Sequence, residues 1–131
     1  MTAVADSSAV VAALSDDGPL GDWARAELDR EDIAAPHLMP VETANTLRRG
    51  VLRGRLSPDS ATLAHDQLIH MAVLLFPYEP HARRIWELRD NLTTYDAWYV
   101  ALAELLDAPL VTLDRRIAGA TGPRCEFRLP L

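Results

Sequence analysis

The fold is decided by a helix that leads into a short strand: Tyr95-Asp96-Ala97-Trp98-Tyr99-Val100-Ala101-Leu102-Ala103, then Leu110-Val111-Thr112-Leu113. The helix is apolar around most of its circumference, which predicts that it is buried on most sides. A buried helix followed by a short apolar strand is typical of a parallel sheet that helices cover.

The rest of the chain repeats this alternation of strands and helices with short connections. Strands are predicted over 2–6, 32–36, 72–76, 110–113 and 125–129, and helices over 8–14, 20–30, 40–54, from 57, over 80–89 and over 95–106. Ser7 or Ser8 is the expected N-cap of the first helix, and Ser57 that of the helix before Pro58. The pattern predicts an α/β fold with helices on both faces of a mainly parallel sheet. The length of 131 residues fits one domain over 1–131.

Composition excludes several classes of protein. Apolar residues make up 49% and charged residues 24%, which is usual for a soluble domain. No apolar run approaches the roughly 18 residues that a membrane span needs, and the N-terminal stretch lacks the basic start of a signal peptide. The single cysteine, Cys125, allows no internal disulfide, so we expect a cytoplasmic protein.

The net charge of −6 is unusual for a nucleic-acid-binding protein, but its distribution is uneven. All 13 basic residues are arginine, which suits bidentate contacts to phosphate. They include two clusters, which are also compatible with plain solvated surface: Arg48, Arg49, Arg53 and Arg55, and Arg115-Arg116.

Four acidic residues fall where a strand ends or a helix begins: Asp6, Glu42, Asp96 and Asp114. In parallel sheets ligands bind outside the carboxyl ends of the strands, so we expect these carboxylates to converge there. Crowded carboxylates repel one another, and a divalent cation such as Mg²⁺ relieves that repulsion. Strand alternation places Thr112 on the same side as Asp114, where its hydroxyl can orient the carboxylate or hold a water.

Each acid also has an ordinary structural explanation. Asp6 could cap the first helix, and Asp114 could cap the turn after it. Glu42 in a first turn would interact favourably with the helix dipole, and Thr93-x-x-Asp96 resembles a capping box. Asn45, one turn after Glu42, could orient that acid or a ligand, or could simply be exposed.

Other catalytic sites are not indicated. The four histidines, at 37, 65, 70 and 81, show neither the spacing nor the cysteine partners of a zinc site. The chain has no nucleophile elbow and no phosphate-binding loop of the Walker type.

Four stretches of the chain resemble the PIN-domain ribonucleases, specifically the VapC-type toxins of bacterial toxin–antitoxin pairs. They are Val4-Ala5-Asp6-Ser7-Ser8-Ala9, Pro40-Val41-Glu42-Thr43-Ala44-Asn45-Thr46-Leu47-Arg48-Arg49, Leu92–Glu104 and Pro109-Leu110-Val111-Thr112-Leu113-Asp114. The third, with Tyr95-Asp96-Ala97 at its centre, is the most specific. The four occur in the expected order over the whole chain, and none of the family's acids is missing.

The resemblance implies a three-layer α/β/α sandwich and an Mg²⁺- or Mn²⁺-dependent endoribonuclease. It implies metal binding and catalysis by Asp6, Glu42, Asp96 and Asp114, with Ser8, Thr112 and Asn45 in support. It also implies a homodimer that is inhibited by a cognate VapB-type antitoxin. Candidate contacts to RNA or antitoxin are Arg48, Arg49, Arg53, Arg115 and Arg116.

Three alternatives remain open at this point. A phosphoacceptor receiver domain also gathers acids at strand ends, but it needs a lysine and this chain has none. A catalytically inactive module with the same fold and a DNA-directed nuclease are both compatible with the sequence.

Overall fold

The computed structural model describes residues 1–131 and contains one five-stranded sheet. The strands are β1 (Thr2–Ala5), β2 (Asp32–Pro36), β3 (Val73–Phe76), β4 (Leu110–Val111) and β5 (Phe127–Arg128). Their order is β3-β2-β1-β4-β5, and every neighbouring pair is parallel. The predicted α/β fold is therefore confirmed, and the sheet is parallel throughout.

Seven helices flank the sheet. They are α1 (Ser7–Ser15), α2 (Pro19–Arg30), α3 (Leu38–Leu52), α4 (Pro58–Ile69), α5 (Ala82–Glu87), α6 (Thr94–Leu106) and α7 (Arg115–Gly119), with a 3₁₀ turn at Glu79–His81. The chain moves from β1 through β2 to β3 in one direction and then returns past β1 to β4. Because crossovers are right-handed, this reversal puts α1–α4 on one face and α5–α6 on the other. The result is the three-layer sandwich.

The reversal of strand order also defines where a ligand would bind. β1 lies beside β4 with Val4 opposite Leu110 and Ala5 opposite Val111. The chain connections leave these two strands in opposite directions, so a crevice opens at their carboxyl ends. Asp6 directly follows β1 and Thr112 directly follows β4, so both residues stand at this crevice.

Helix α6 is the buried helix of the sandwich, as its sequence predicts. Ala97, Val100, Leu102 and Ala103 are completely buried, and the helix packs on β1, β2 and β4. Thr93 caps its N-terminus, where its hydroxyl accepts a hydrogen bond from the Asp96 amide at 3.1 Å. Asp96 is therefore held at the mouth of a rigid, buried element.

Helix α3 differs from the sequence prediction, in which Val41, Ala44, Leu47 and Val51 form its buried stripe. Helix α3 begins at Leu38, so Glu42 lies in its second turn and not in its first. Its buried residues are Met39, Thr43 and Leu47, whereas Val41 is 66% exposed. The apolar letters of α3 fit two neighbouring stripes, and only the packing against the rest of the fold selects between them.

The apolar residues of α4 predict a buried face of Leu63, Leu68 and Ile69, of which only Leu68 is buried. Leu63 and Ile69 are about 60% exposed, and Ala64 and Leu68 form the buried face. The predicted cap is confirmed, because the Ser57 hydroxyl accepts from the Ser60 amide at 3.0 Å and Pro58 is the first helical residue. None of the helices combines the length and the apolar character that crossing a bilayer requires.

Candidate active site

Asp6 is the most deeply buried acid of the chain, with 4% of its surface exposed. It is also the N-cap of α1, where its Oδ1 accepts from the Ala9 amide at 3.1 Å. Ser7 and Ser8 are therefore not the cap, and the structural explanation of Asp6 as an N-cap is confirmed. Burial raises the pKa of Asp6 from its usual 3.8 to about 6, although its hydrogen bonds partly oppose that shift.

Two hydroxyl groups fix the Asp6 carboxylate and connect β1 with the chain after β4. Ser8 Oγ donates to Asp6 Oδ1 at 2.6 Å, and Thr112 Oγ1 donates to Asp6 Oδ2. Each hydroxyl also accepts from a backbone amide, Ser8 from Leu113 at 3.0 Å and Thr112 from Asp114 at 2.9 Å. Both donors and both carboxylate oxygens are thereby held in one orientation.

Glu42 reaches the same crevice from α3. Its Oε1 accepts a hydrogen bond of 2.6 Å from the Tyr99 hydroxyl of α6, 57 positions further along the chain. Burial raises the pKa of Glu42, the bond from Tyr99 opposes this, and the charge of Asp96 adds to it. The pKa of Tyr99 is raised by burial and by Glu42, so the phenol stays protonated and remains a donor.

The charge of Asp96 interacts with those of both Glu42 and Asp114. Burial raises its pKa, and the negative charge of Asp114 raises it further. The Thr93 cap and the positive charge of Arg116 act in the opposite direction. Because such effects act over short distances, these charges share one patch.

Asp114 is the one acid of the four whose pKa is lowered, chiefly by its hydrogen bonds from Arg116. The Arg116 guanidinium donates to both of its oxygens, at 3.2 Å to Oδ1 and 2.9 Å to Oδ2. The Arg116 amide also donates to Oδ1 at 2.9 Å, so Asp114 caps the short helix α7. The arginine side chain is 88% exposed and is therefore free to move away.

The four acids form a single negatively charged patch. Asp114 raises the pKa of both Asp6 and Asp96, and Asp96 raises that of Glu42. Carboxylate and hydroxyl oxygens are the donors that Mg²⁺ and Mn²⁺ prefer, so the chemistry of the patch fits such an ion. No three of these side chains converge on one point as they stand, because Asp114 faces Arg116 and Glu42 faces Tyr99. A shared ion therefore requires local side-chain rotation.

The remaining residues predicted for the site are Asn45 and the candidate arginine contacts. Asn45 is exposed. Arg49 and Arg53 line a groove beside α1, and Arg48 does not. Arg115 lies next to Asp114, and its guanidinium donates to the Pro130 carbonyl.

Sequence reasoning missed two features of the patch. The Tyr99 hydroxyl donates to Glu42. The only sign of this in the sequence is the position of Tyr99 one turn after Asp96 on an otherwise apolar helix. Arg116 contacts Asp114, whereas the sequence indicated only an arginine next to an acid.

Glu104, near the end of α6, is not part of the patch. It pairs with Arg84 at 2.7 Å and accepts from the Arg124 amide at 2.8 Å.

Comparisons with known proteins agree with this architecture. The family model for the PIN domain matches residues 3–122. Ribonuclease VapC1 of Mycobacterium tuberculosis is 42% identical over 127 residues, which are 96% of each chain.

Solved structures show the same fold. PAE2754 from Pyrobaculum aerophilum superposes with a TM-score of 0.69 and 27% identity, over 97% of this chain and 83% of that one. VapBC2 from Rickettsia felis, solved with a DNA fragment from its promoter, gives a TM-score of 0.71 at 12% identity over 98% of each chain. The chain therefore belongs to the PIN-domain family and is of the VapC type.

Proposed function

We propose that this protein is an endoribonuclease toxin that hydrolyses RNA phosphodiester bonds with the help of Mg²⁺ or Mn²⁺. The relative VapC1, at 42% identity, is named a ribonuclease. The observation that carries the proposal is the buried carboxylate of Asp6. Two hydroxyl groups hold it at the crevice between β1 and β4, beside three further acids.

Asp6, Asp96, Asp114 and Glu42 would hold the metal, with Asp6 and Asp96 as its principal ligands. When bound, such an ion lowers the pKa of a coordinated water and stabilises the negative charge that develops on the phosphate and on the leaving 3′-oxygen. Burial of an ionised carboxylate is costly without a cation, and the raised pKa of Asp6 expresses that cost. A divalent ion would remove the cost, and the site is therefore expected to bind one readily.

The protein's own side chains provide the preorganisation. Ser8 and Thr112 each donate one hydrogen bond to Asp6, so both carboxylate oxygens keep a fixed direction. Tyr99 orients Glu42 and stays protonated, so it cannot act as a general base near neutral pH. The carboxylates must be ionised to bind the metal, so the raised pKa of Asp6, Glu42 and Asp96 links metal binding to pH.

Arg116 could pair either with Asp114 or with a phosphate of the RNA. Without metal its guanidinium neutralises Asp114. Once Asp114 turns towards a metal, the exposed arginine is free to contact the RNA phosphate, for which its planar fork is well suited. Arg115 is a second candidate contact on the same short helix.

A cognate VapB-type antitoxin is the proposed inhibitor, and a homodimer is the proposed form of the toxin. The similarity to VapBC2 supports a partner of this type. An acidic patch of this kind would attract a basic or polar side chain from the antitoxin, in the place that Arg116 takes at Asp114.

The test is incubation of the purified protein with total cellular RNA, with Mg²⁺ or with EDTA, followed by mapping of the cut ends. Cleavage that needs the metal and leaves 5′-phosphate and 3′-hydroxyl ends is expected. A parallel incubation with single-stranded and duplex DNA distinguishes a DNA-directed nuclease. If neither nucleic acid is cut and Mn²⁺ does not bind, the protein is an inactive module.

A further inference from the structure

The C-terminal part of α3 and the turn after it carry four arginines without a carboxylate partner: Arg48, Arg49, Arg53 and Arg55. Five arginines elsewhere pair with acids: Arg25, Arg30, Arg84, Arg116 and Arg128. Four others form no ion pair but are not clustered on one element with a shared groove: Arg83, Arg89, Arg115 and Arg124. Unpaired guanidinium groups repel one another, so a cluster of them on one element indicates a binding site for an anion.

Three of the four, Arg49, Arg53 and Arg55, line one groove of about 530 Å³ between α1 and α3. Asp16 and Asp17, at the end of α1, line the groove as well, yet neither forms an ion pair with these arginines. One Asp16 oxygen is already occupied, because it accepts from the Gly18 amide at 2.7 Å. The three arginines of the groove are therefore left without an anionic side chain as partner.

The groove continues into the candidate active site. A second hollow, of about 380 Å³, shares Ser15 and Thr46 with the groove and extends to Ser8 and Leu113. Ser8 is the residue that donates to Asp6. The two hollows thus share part of their lining and extend from Ser8, which contacts Asp6, to the arginines.

The spacing of residues along helix α3 gives the distance from the acids to the arginines of the groove. Glu42, Thr46, Arg49 and Arg53 are spaced by four, three and four residues, which places them on one stripe of the helix. At a rise of 1.5 Å per residue, Arg49 and Arg53 lie about 10 and 16 Å along the axis from Glu42. One nucleic-acid strand can therefore place one phosphate at the acids and later phosphates at the arginines.

We propose that Arg49, Arg53 and Arg55 bind the phosphates of the RNA strand on one side of the bond that is cut. This inference rests on the proposed nuclease function and adds to it the course of the substrate. Only Val11 and Leu56 of the ten lining residues are apolar, so the groove lacks the hydrophobic anchors of a protein interface. A polar, arginine-rich surface is typical of contacts to a nucleic-acid backbone. Asp16 and Asp17 repel phosphate and so keep the strand against the arginines.

The test uses full-length protein that carries Asp6→Asn, so that RNA stays intact during the measurement. Binding of a short fluorescein-labelled single-stranded RNA is followed by anisotropy over a range of KCl concentrations, with EDTA present. In this background R49A/R53A should weaken binding about tenfold at low salt. It should also reduce the slope of log K against log salt by about 1.4, since each contact to a single strand contributes about 0.7.

Two controls separate this effect from misfolding and from general loss of charge. Arg83→Ala removes an exposed arginine of α5 and should change neither the affinity nor the slope. R49K/R53K keeps both charges and should keep most of the salt slope, because that slope counts neutralised phosphates. Circular dichroism of each variant should match that of the parent.

The inference is overturned if R49A/R53A binds RNA with the affinity and slope of its parent, or if the parent binds no RNA. The first result would leave a protein segment as the occupant of the groove. Cleavage of RNA by the wild type with Mg²⁺ is measured separately. If that cleavage is present and the arginine effect is absent, the groove assignment fails while the proposed function stands.

Discussion

Replacement of Asp6 by asparagine is expected to make the folded protein more stable near neutral pH, although it should abolish activity. Asp6 is 4% exposed, and burial raises its pKa from 3.8 to about 6. At 1.36 kcal/mol per pKa unit, that difference corresponds to about 3 kcal/mol of folding free energy lost by keeping the carboxylate ionised. Asparagine has nearly the same shape and no charge, but it loses charge-assisted hydrogen bonds from Ser8 and Thr112. The expected gain is therefore about 1–3 kcal/mol.

The pH dependence of this difference follows from the direction of the pKa change. Below about pH 4 the carboxyl group is protonated in both the folded and the unfolded wild type, and the charge has no effect on stability. Between about pH 4 and 6 the folded state takes up a proton that the unfolded state does not, so the wild type gains stability as the pH falls. The advantage of the variant should therefore be largest above about pH 6 and should fall by about 3 kcal/mol as the pH falls to about 4.

Urea denaturation of both proteins at several pH values, with EDTA present, measures the difference directly. The comparison cancels the titration of most other groups, because they are common to both proteins. Addition of Mg²⁺ should then stabilise the wild type and leave the variant unchanged, since a ligand of the folded state adds to stability. The reasoning is refuted if the wild type is the more stable protein at about pH 8, or if the difference does not change with pH.

Three further predictions concern the neighbours of Asp6. Arg116→Ala frees Asp114 from its ion pair and should tighten Mn²⁺ binding several-fold by calorimetry; unchanged or weaker binding would show that the pair does not compete with metal. Tyr99→Phe removes the 2.6 Å hydrogen bond to half-buried Glu42 and should lower the free energy of unfolding by about 1–2 kcal/mol, and equal urea midpoints would argue against it. Binding of Mn²⁺ to the metal-free protein should tighten with pH through about 6 as Asp6 loses its proton, so an affinity that is flat from about pH 5 to 8 would contradict the role of this carboxylate.

The parts of the fold that could be predicted are those whose signals are local. The apolar circumference of α6, the Ser57-Pro58 start of α4 and the strand at Asp32–Pro36 each depend on neighbours in sequence. The convergence of Asp6 with Thr112 also followed from sequence, because the strands that precede them are short and parallel. Such strands bring their carboxyl ends to one edge of the sheet.

The features that escaped prediction depend on tertiary packing. Val41 is exposed and Met39 is buried because α3 packs against the core with the stripe that contains Met39. Helical periodicity alone does not show which of the two stripes is buried. The contact between Tyr99 and Glu42 joins two helices that are far apart in the chain. Glu42 lies in the second turn of α3, and not in the predicted first turn, because the helix starts two residues before Pro40.

The most direct test of the central claim is RNA cleavage by the wild type and by Asp6→Asn, each with Mg²⁺ and with EDTA. We expect cuts with 5′-phosphate ends only for the wild type with Mg²⁺, while both proteins are folded by circular dichroism. Undiminished cleavage by the folded variant, or equal cleavage in EDTA, would contradict a metal-dependent nuclease site built on Asp6.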